Sequence, residues 1–299
     1  MDDTGRPLRL LGLAWMASLL LLSDSTVFVG PVEAAEKVSG QISVQDALTV
    51  PGRAVRIEAR LIRKGFFGRT GLGGEQLEFR IDNKKAGTAM TGGDGRAILE
   101  YTPRMRGTQV VTVGLPTKTR VESQEASATI ASWERRRPIL LVDMAALIED
   151  AKTPKGPIPS LPLDLGRRDP QTPIPDAAEE LKRLTEYFFN VVYLERSGEE
   201  EGQVRDEARE WLKRHRLPIG LLRTVKPGQA ALENLIDSFR AEGWTNLKAG
   251  IGRTRDFAEA LVDRRMEVII LPATSKDENL PKKAQAAKDW KDVRRKLQS

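Results

Sequence analysis

The chain has 299 residues, enough for two ordinary domains, and its 40% hydrophobic and 30% charged residues are typical of a folded protein. It has no cysteine, which excludes disulfides, thiolate metal sites and cysteine nucleophiles, and one histidine, His215, which excludes a multi-histidine zinc site. The net charge of +6 favours an anionic ligand or surface, such as lipid head groups or polysaccharide. Because aromatic residues make up only 5% of the chain and do not alternate with basic runs, we expect no nucleic-acid partner.

Residues 1–35 have the pattern of a secretion signal or a membrane anchor. An apolar run over residues 10–22 follows Arg6 and Arg9, and it is shorter than the about 20 residues of a comfortable membrane span. Small residues at Ala34 and Ala35 offer a cleavage position. An uncleaved anchor is the alternative, and it would associate the protein with a membrane through its N-terminus. Both interpretations predict export to the periplasm, the cell envelope or the exterior.

Residues 36–133 predict an all-β sandwich of the immunoglobulin type. Short alternating segments are separated by turn signals at Pro51-Gly52, Asp82-Asn83 and Gly92 to Gly95. The segment T-G-G-D-G-R-A-I-L-E-Y-T-P at residues 91–103, with the strand that follows it, resembles the immunoglobulin-like repeats of bacterial adhesins and surface proteins. This resemblance implies an envelope adhesion protein that binds through the sandwich, which is one of the functional alternatives.

Residues 134–275 change to alternating strand and helix patterns, which predict a doubly wound, Rossmann-like α/β domain. A proline-rich connection with seven prolines spans residues 151–175. The expected helices and strands then follow one another to residue 271, with Asp176 as the N-cap of the first long helix. For residues 276–299 we expect an amphipathic C-terminal helix that carries Ala284, Ala287, Trp290, Val293 and Leu297 on one face.

The segment P-I-L-L-V-D-M-A-A-L at residues 138–147 carries the clearest chemical signal. A hydrophobic strand that ends in an aspartate and enters a turn of small residues is typical of an aspartate that accepts a phosphoryl group. Such chemistry needs a second carboxylate two residues later as general acid and base, and Ala145 occupies that position. The pattern therefore indicates the scaffold of a phosphatase more strongly than it indicates a working phosphatase.

Six segments in order resemble the haloacid dehalogenase-like superfamily, and within it the lipin-type phosphatidate phosphatase domain. They are R-P-I-L-L-V-D, T-P-I-P-D-A-A-E-E-L-K-R-L, V-V-Y-L-E-R-S, W-L-K-R-H-R-L-P-I-G, K-P-G-Q-A-A-L-E-N-L-I and K-A-G-I-G-R-T-R-D-F-A-E-A-L. The resemblance spans nearly all of residues 138–272. It implies a haloacid dehalogenase-like fold and a magnesium-dependent reaction on a phosphate ester such as phosphatidate.

The resemblance also implies a role for each matching position. Asp143 matches the catalytic nucleophile, and Lys226 matches the lysine that neutralises the phosphate. Glu195 stands where the family has a phosphate-binding Thr or Ser, with Ser197 two residues further on. At the last motif only Asp256 remains as an acid, after Arg253. Asp143 and Asp256 are thus the candidate magnesium ligands.

Each candidate also has a purely structural explanation. Asp143 can cap the turn after its strand, Lys226 can be a surface lysine, and Asp256 can be a charge at a helix N-terminus. We expect Arg253 to pair with Asp143 or Asp256 and to replace the metal, so that no cofactor is needed.

The sequence therefore predicts an exported binding or structural protein on an inactive phosphatase scaffold, with an unidentified envelope protein or anionic ligand as its partner. The alternative is a magnesium phosphatase with Asp143 as nucleophile and a replacement acid at Glu149, Asp150, Asp164 or Asp169.

Overall fold

A computed structural model describes residues 38–65, 68–117, 119–149, 172–198, 201–272 and 280–298, without the side chains of 64, 65 and 201–203. The expected secretion signal or anchor and the acids Asp150, Asp164 and Asp169 lie outside these residues. Lys37–Ser299 forms one compact unit. No helix among the described residues is long and apolar enough to cross a membrane.

The first part of this unit is a β-sandwich. One sheet has the order β3-β11-β9-β6-β7, a second has β2-β4-β5 with β8 also on β4, and β1 pairs with β10. The strands are β1 (Val38–Ser39), β2 (Gln41–Val44), β3 (Ala47–Thr49), β4 (Val55–Gly65), β5 (Gly68–Gly71), β6 (Gln76–Ile81), β7 (Lys84–Met90), β8 (Arg96–Tyr101), β9 (Gly107–Gly114), β10 (Val121–Glu122) and β11 (Ala126–Ser132).

The two larger sheets enclose one hydrophobic core, as the period-two pattern predicts. Ile57 and Leu61 of β4 meet Phe79 of β6 and Val111 of β9 in this core, and all four are fully buried. The expected turn at Asp82-Asn83 is present, with φ of 48° and 64° at these two residues. Such left-handed values fit the tight hairpin that joins β6 to β7.

The second part is a six-stranded parallel sheet with the order β14-β13-β12-β15-β16-β17. Its elements are β12 (Ile139–Asp143), a short 3-10 helix (Met144–Ala146), α1 (Ala177–Tyr187), β13 (Asn190–Arg196), α2 (Glu201–Arg214), β14 (Leu221–Val225), α3 (Gln229–Ala241), β15 (Leu247–Gly252), α4 (Arg255–Asp263), β16 (Glu267–Ile270), β17 (Ala284–Ala286) and α5 (Trp290–Leu297). The doubly wound α/β architecture is therefore confirmed at the level of strand order.

Hydrophobic side chains cover both faces of this sheet, which is why its strands read as continuous apolar runs. Along β12, Leu140 and Val142 pack into a cluster with α1, α2 and α5. Ile139 and Leu141 point the other way, into a cluster with α3 and α4. The sheet is the middle of three layers, and β12 is one of its two central strands.

The C-terminal segment differs from the expected helix over residues 276–299. Ala284–Ala286 form β17, which pairs in parallel with β16, and the helix α5 is limited to Trp290–Leu297. Trp290 is fully buried. Only the part of the expected helix that carries Trp290, Val293 and Leu297 is helical. Residues 284–286 form a strand instead, because the edge strand β16 offers them backbone hydrogen-bond partners.

Asp176 precedes α1 as expected, but its side chain makes no capping hydrogen bond within the described structure. Its Oδ2 lies instead 2.9 Å from Lys291 Nζ on α5. The carboxylate therefore links the C-terminal helix to α1.

Candidate functional site

Asp143 lies at the point of the sheet where the strand order reverses. It ends β12, and the next strands along the chain pair on one side of β12 while β15 pairs on the other. In open α/β sheets ligands bind beyond the carboxyl ends of the strands at this switch point. The topology therefore places the predicted nucleophile where a ligand site is expected.

The Asp143 carboxylate is almost completely buried, with 1% of the residue exposed. Its Oδ1 accepts a hydrogen bond of 3.0 Å from the backbone N–H of Ala145, so it also caps the short turn after β12. Its Oδ2 accepts no hydrogen bond from the described part of the chain. Burial raises the pKa of Asp143, and the hydrogen bond from Ala145 and the charge of Arg196 only partly oppose this.

Arg196 bridges the two predicted metal ligands. Its Nη1 lies 3.8 Å from Asp143 Oδ2 and donates a 3.1 Å hydrogen bond to Asp256 Oδ1, while Nη2 donates to Asp256 Oδ2. Nη1 also donates to the hydroxyl of Thr254 at 2.8 Å. A guanidinium thus stands between the two carboxylates that would share a cation.

The environment of Asp256 is opposite to that of Asp143. The hydrogen bond from Arg196 lowers the pKa of Asp256 to about 2, and the bond from Thr254 adds to the effect. Asp256 Oδ1 also accepts from the backbone N–H of Phe257 at 3.0 Å, in the first turn of α4. Asp256 is therefore both a partner of Arg196 and a helix N-terminal charge.

Two glycines of β15 allow α4 to approach the sheet and bring Asp256 to Arg196. A Cβ on Gly252 would lie 2.2 Å from Phe257 Cδ1, and one on Gly250 would lie 2.0 Å from Leu261 Cδ2. These distances are far below van der Waals contact, so any larger residue would push α4 away. The Gly-Ile-Gly segment serves this packing.

The sequence-based expectation about the bridging arginine needs a correction. Arg253 was expected to pair with Asp143 or Asp256, but the residue that bridges both is Arg196. Arg253 Nη1 donates to the carbonyl oxygens of Ala145 at 3.3 Å and Ile148 at 3.2 Å, which anchors the turn after β12. Arg196 was missed although it ends β13 just after a buried apolar run, as Asp143 ends β12.

Lys226 and Asp143 follow or end strands that are not neighbours in the sheet. Lys226 follows β14, the outermost strand on its side of the sheet, with β13 between β14 and β12. Its side chain is exposed, and it is not among the described residues that line the cleft next to Asp143. The predicted pairing of Lys226 with a phosphate beside Asp143 stays a prediction.

The replacement acid proposed at Glu149 lies at the surface, and its backbone N–H donates to Thr172 O at 2.8 Å. Ala145, in the place of the acid/base residue, lines the cleft together with Glu195. The backbone N–H of Ser197 donates to Val225 O at 3.0 Å, which extends the pairing of β13 with β14.

A cleft of about 610 Å³ opens beside Asp143 between the carboxyl end of the sheet and α2. Its acidic lining residues are Asp143, Glu195, Asp206, Glu207 and Glu210, and its basic ones are Arg196 and Arg214. Burial raises the pKa of Asp206 on α2, although nearby arginines oppose this. Among the described lining residues, five carboxylates stand against two guanidinium groups, and this excess of negative charge disfavours a phosphate.

The described residues do not fit a magnesium ion. Magnesium in such sites is held through carboxylates, water and substrate oxygens. Among the described residues, no group of three or more acidic or histidine side chains is placed to hold a metal. Arg196 already occupies the space between Asp143 and Asp256.

No protein-family model and no curated protein matches this sequence. Among solved structures, the chain resembles D,D-heptose 1,7-bisphosphate phosphatase from B. bronchiseptica, which was solved with magnesium and phosphate. The identity is 12%, the likeness covers 54% of this chain and 98% of that one, and the TM-score is 0.42. That protein is a phosphatase of the haloacid dehalogenase family.

Other solved structures resemble the sandwich. The fibronectin(III)-like modules of Clostridium thermocellum CbhA share 14% identity over 31% of this chain and 94% of that one, with a TM-score of 0.23. Invasin, a bacterial integrin-binding protein, shares 22% over 32% of this chain and 19% of its own, with a TM-score of 0.24. These likenesses are weak. The fold is defined by the observed strand order and the hydrophobic cores.

Proposed function

We propose that this chain is an exported binding or structural protein whose α/β region keeps the scaffold of a haloacid dehalogenase-like phosphatase without its hydrolytic activity. The observation that carries the proposal is the guanidinium of Arg196 between Asp143 and Asp256. A protein cation that already stands between the two carboxylates takes the place that a shared metal ion would need.

Three further features support the loss of hydrolysis. Ala145 provides no proton for a leaving group, a contribution of about 10²–10⁴-fold in rate. The described residues of the cleft include more carboxylates than guanidinium groups, and this excess repels a phosphate ester. The carboxylate of Asp143 is buried, and its Oδ1 already accepts a hydrogen bond from the backbone N–H of Ala145, which leaves only Oδ2 for an attack on a substrate.

Export, a binding partner in the cell envelope and the absence of a required cofactor belong to the same proposal. Export is supported by the apolar run at residues 10–22, which follows Arg6 and Arg9.

The test is turnover of p-nitrophenyl phosphate and of phosphatidate by the full chain with magnesium, beside the Asp143→Asn variant. We expect both proteins to give only the background rate. Magnesium-dependent turnover that disappears in Asp143→Asn would establish the phosphatase alternative and end the proposal. The Glu242→Gln variant, changed at an exposed residue after α3, controls for preparation effects.

A further inference from the structure

Asp143 leaves one acceptor atom unused at the floor of the cleft. Its Oδ1 is occupied by the N–H of Ala145, but its Oδ2 accepts no hydrogen bond among the described groups. Arg196 Nη1 lies at 3.8 Å, which is too long for a hydrogen bond. A buried carboxylate oxygen without a donor is costly, so an N–H donor from a ligand would be favourable there.

The charges around this atom select a cation. Arg196 is shared by Asp143 and Asp256, so that group of three keeps one net negative charge. Asp206 and Glu210 lie four residues apart on α2, so they project from the same side of the helix into the cleft lining. Arg214 adds one positive charge on α2, and the described lining as a whole still has more carboxylates than guanidinium groups.

Other residues of α2 give the cleft an apolar part, separate from Asp206 and Glu210. Val204, Ala208 and Trp211 follow the helical spacing along α2 and line the cleft, and all three are buried. An indole beside carboxylates suits an organic cation, since its ring face attracts ammonium groups. A metal ion has no set of three ligands among the described residues.

We propose that this cleft binds a primary ammonium group carried on an alkyl chain. The ammonium donates to Asp143 Oδ2, the chain lies along Val204, Ala208 and Trp211, and further positive charge meets Asp206 and Glu210. A free polyamine and the lysine side chain of a partner protein share this chemistry. The inference rests on the proposed loss of hydrolysis, because a working phosphatase would keep the cleft for a phosphate.

The test is calorimetric titration of the full chain with spermidine, with N-acetyl-lysine amide and with the uncharged N-acetyl-norleucine amide. We expect spermidine or the lysine amide to bind and norleucine amide not to bind. Binding of spermidine alone identifies a free polyamine as the source, and binding of the lysine amide identifies a partner side chain. The absence of binding by both amines would overturn the inference.

Variants locate the site. The exposed Glu210→Gln and the half-buried Asp206→Asn should each weaken amine binding by about tenfold, while Glu242→Gln, on the opposite face of the sheet, should leave it unchanged. Equal binding by all four proteins would place the amine elsewhere and refute the assignment. Phosphatase turnover, measured on the same samples, distinguishes a failure of the proposed function from a failure of the proposed ligand. Activity refutes the proposed function, whereas inactivity without amine binding refutes only the ligand.

Discussion

Arg196 is the residue on which the stability of the site depends. Its guanidinium is 11% exposed and faces one buried and one half-buried carboxylate. Removal of one partner from a buried ion pair leaves an uncompensated charge, which costs more than the pair contributes.

We therefore expect Arg196→Gln to lower the free energy of unfolding by about 3–5 kcal/mol, measured by urea denaturation. Arg255→Gln removes a solvent-exposed pair with Glu259 on α4 and should cost less than about 1 kcal/mol. Equal effects of the two variants would mean that Arg196 does not hold the carboxylates together.

Asp143 and Asp256 should respond to pH in opposite directions. The pKa of Asp143 is higher in the folded protein than its ordinary value of 3.8. At a pH above the folded pKa, ionised Asp143 therefore destabilises the fold, and at a pH below 3.8 this destabilisation is absent. Asp143→Asn should therefore unfold at a higher temperature than the parent at pH 7 and at the same temperature below pH 3.8. Thermal unfolding followed by circular dichroism across this range measures the difference.

Asp256, unlike Asp143, stabilises the fold when it is ionised, because its pKa is lowered in the folded protein. Its pKa is about 2 in the folded protein against 3.8 ordinarily, so its contribution is complete above 3.8 and is lost as pH falls through about 2. Asp256→Asn should lower the unfolding temperature at pH 7, and its curve should approach that of the parent in strong acid. A stabilising effect of Asp256→Asn at neutral pH would contradict the bridge with Arg196.

At the scale of elements, the sandwich contacts β14, an edge strand of the parallel sheet, through a hydrogen bond. Asp46 lies between β2 and β3, its carboxylate is fully buried, and its Oδ2 accepts from the N–H of Leu222 on β14 at 2.7 Å. Its Oδ1 accepts from the N–H of Thr129 at 2.9 Å and from Arg209 of α2. An edge strand with an unpaired N–H is a site of aggregation, and Asp46 provides the missing acceptor.

Asp46→Asn should lower the free energy of unfolding by about 3–5 kcal/mol, because the amide nitrogen would face N–H donors and Arg209 would lose its charge partner. Chemical denaturation is the measurement. The matched control is Glu78→Gln, a half-buried carboxylate of the sandwich that pairs with the exposed Lys85 and should have an effect below about 1 kcal/mol. A small effect of Asp46→Asn would show that this contact contributes little.

At the scale of the whole molecule, the two parts share a core. Ala131 and Trp133, at the end of the sandwich, belong to the hydrophobic cluster that covers one face of the parallel sheet. Trp133 is 4% exposed. The sandwich therefore supplies apolar surface as well as hydrogen bonds to the α/β part.

This shared core predicts a single cooperative unfolding transition for the full chain in differential scanning calorimetry. A fragment of residues 134–299 loses Trp133 and the acceptor for Leu222, and it should associate in light scattering at concentrations where the full chain stays monodisperse. Two separate transitions, or a stable monomeric fragment, would show that the parts fold independently.

Local pattern was enough to predict most of the architecture. The local pattern predicts helices at residues 230–242 and 255–263 and a strand at 139–142, and α3, α4 and β12 begin and end within one residue of these bounds. Apolar periodicity and turn residues act over short distances, which is why they locate these elements. Strand β7 was missed because its sequence, K-K-A-G-T-A-M, lies at a sheet edge and is largely exposed. A helix was predicted at Ala284–Ala286 because its apolar residues have helical spacing. The segment forms a strand because pairing with β16 outweighs that local spacing.

The sequence by itself determined an all-β part followed by a parallel α/β part, and it placed Asp143 at the end of a buried strand without a second acid. Only the tertiary structure decided that Arg196 forms ion pairs with Asp143 and Asp256, and that Asp46 accepts a hydrogen bond from Leu222 on the edge strand β14. The physical reason is distance along the chain. Strand ends meet across a sheet regardless of sequence separation, whereas periodicity and spacing report only on near neighbours.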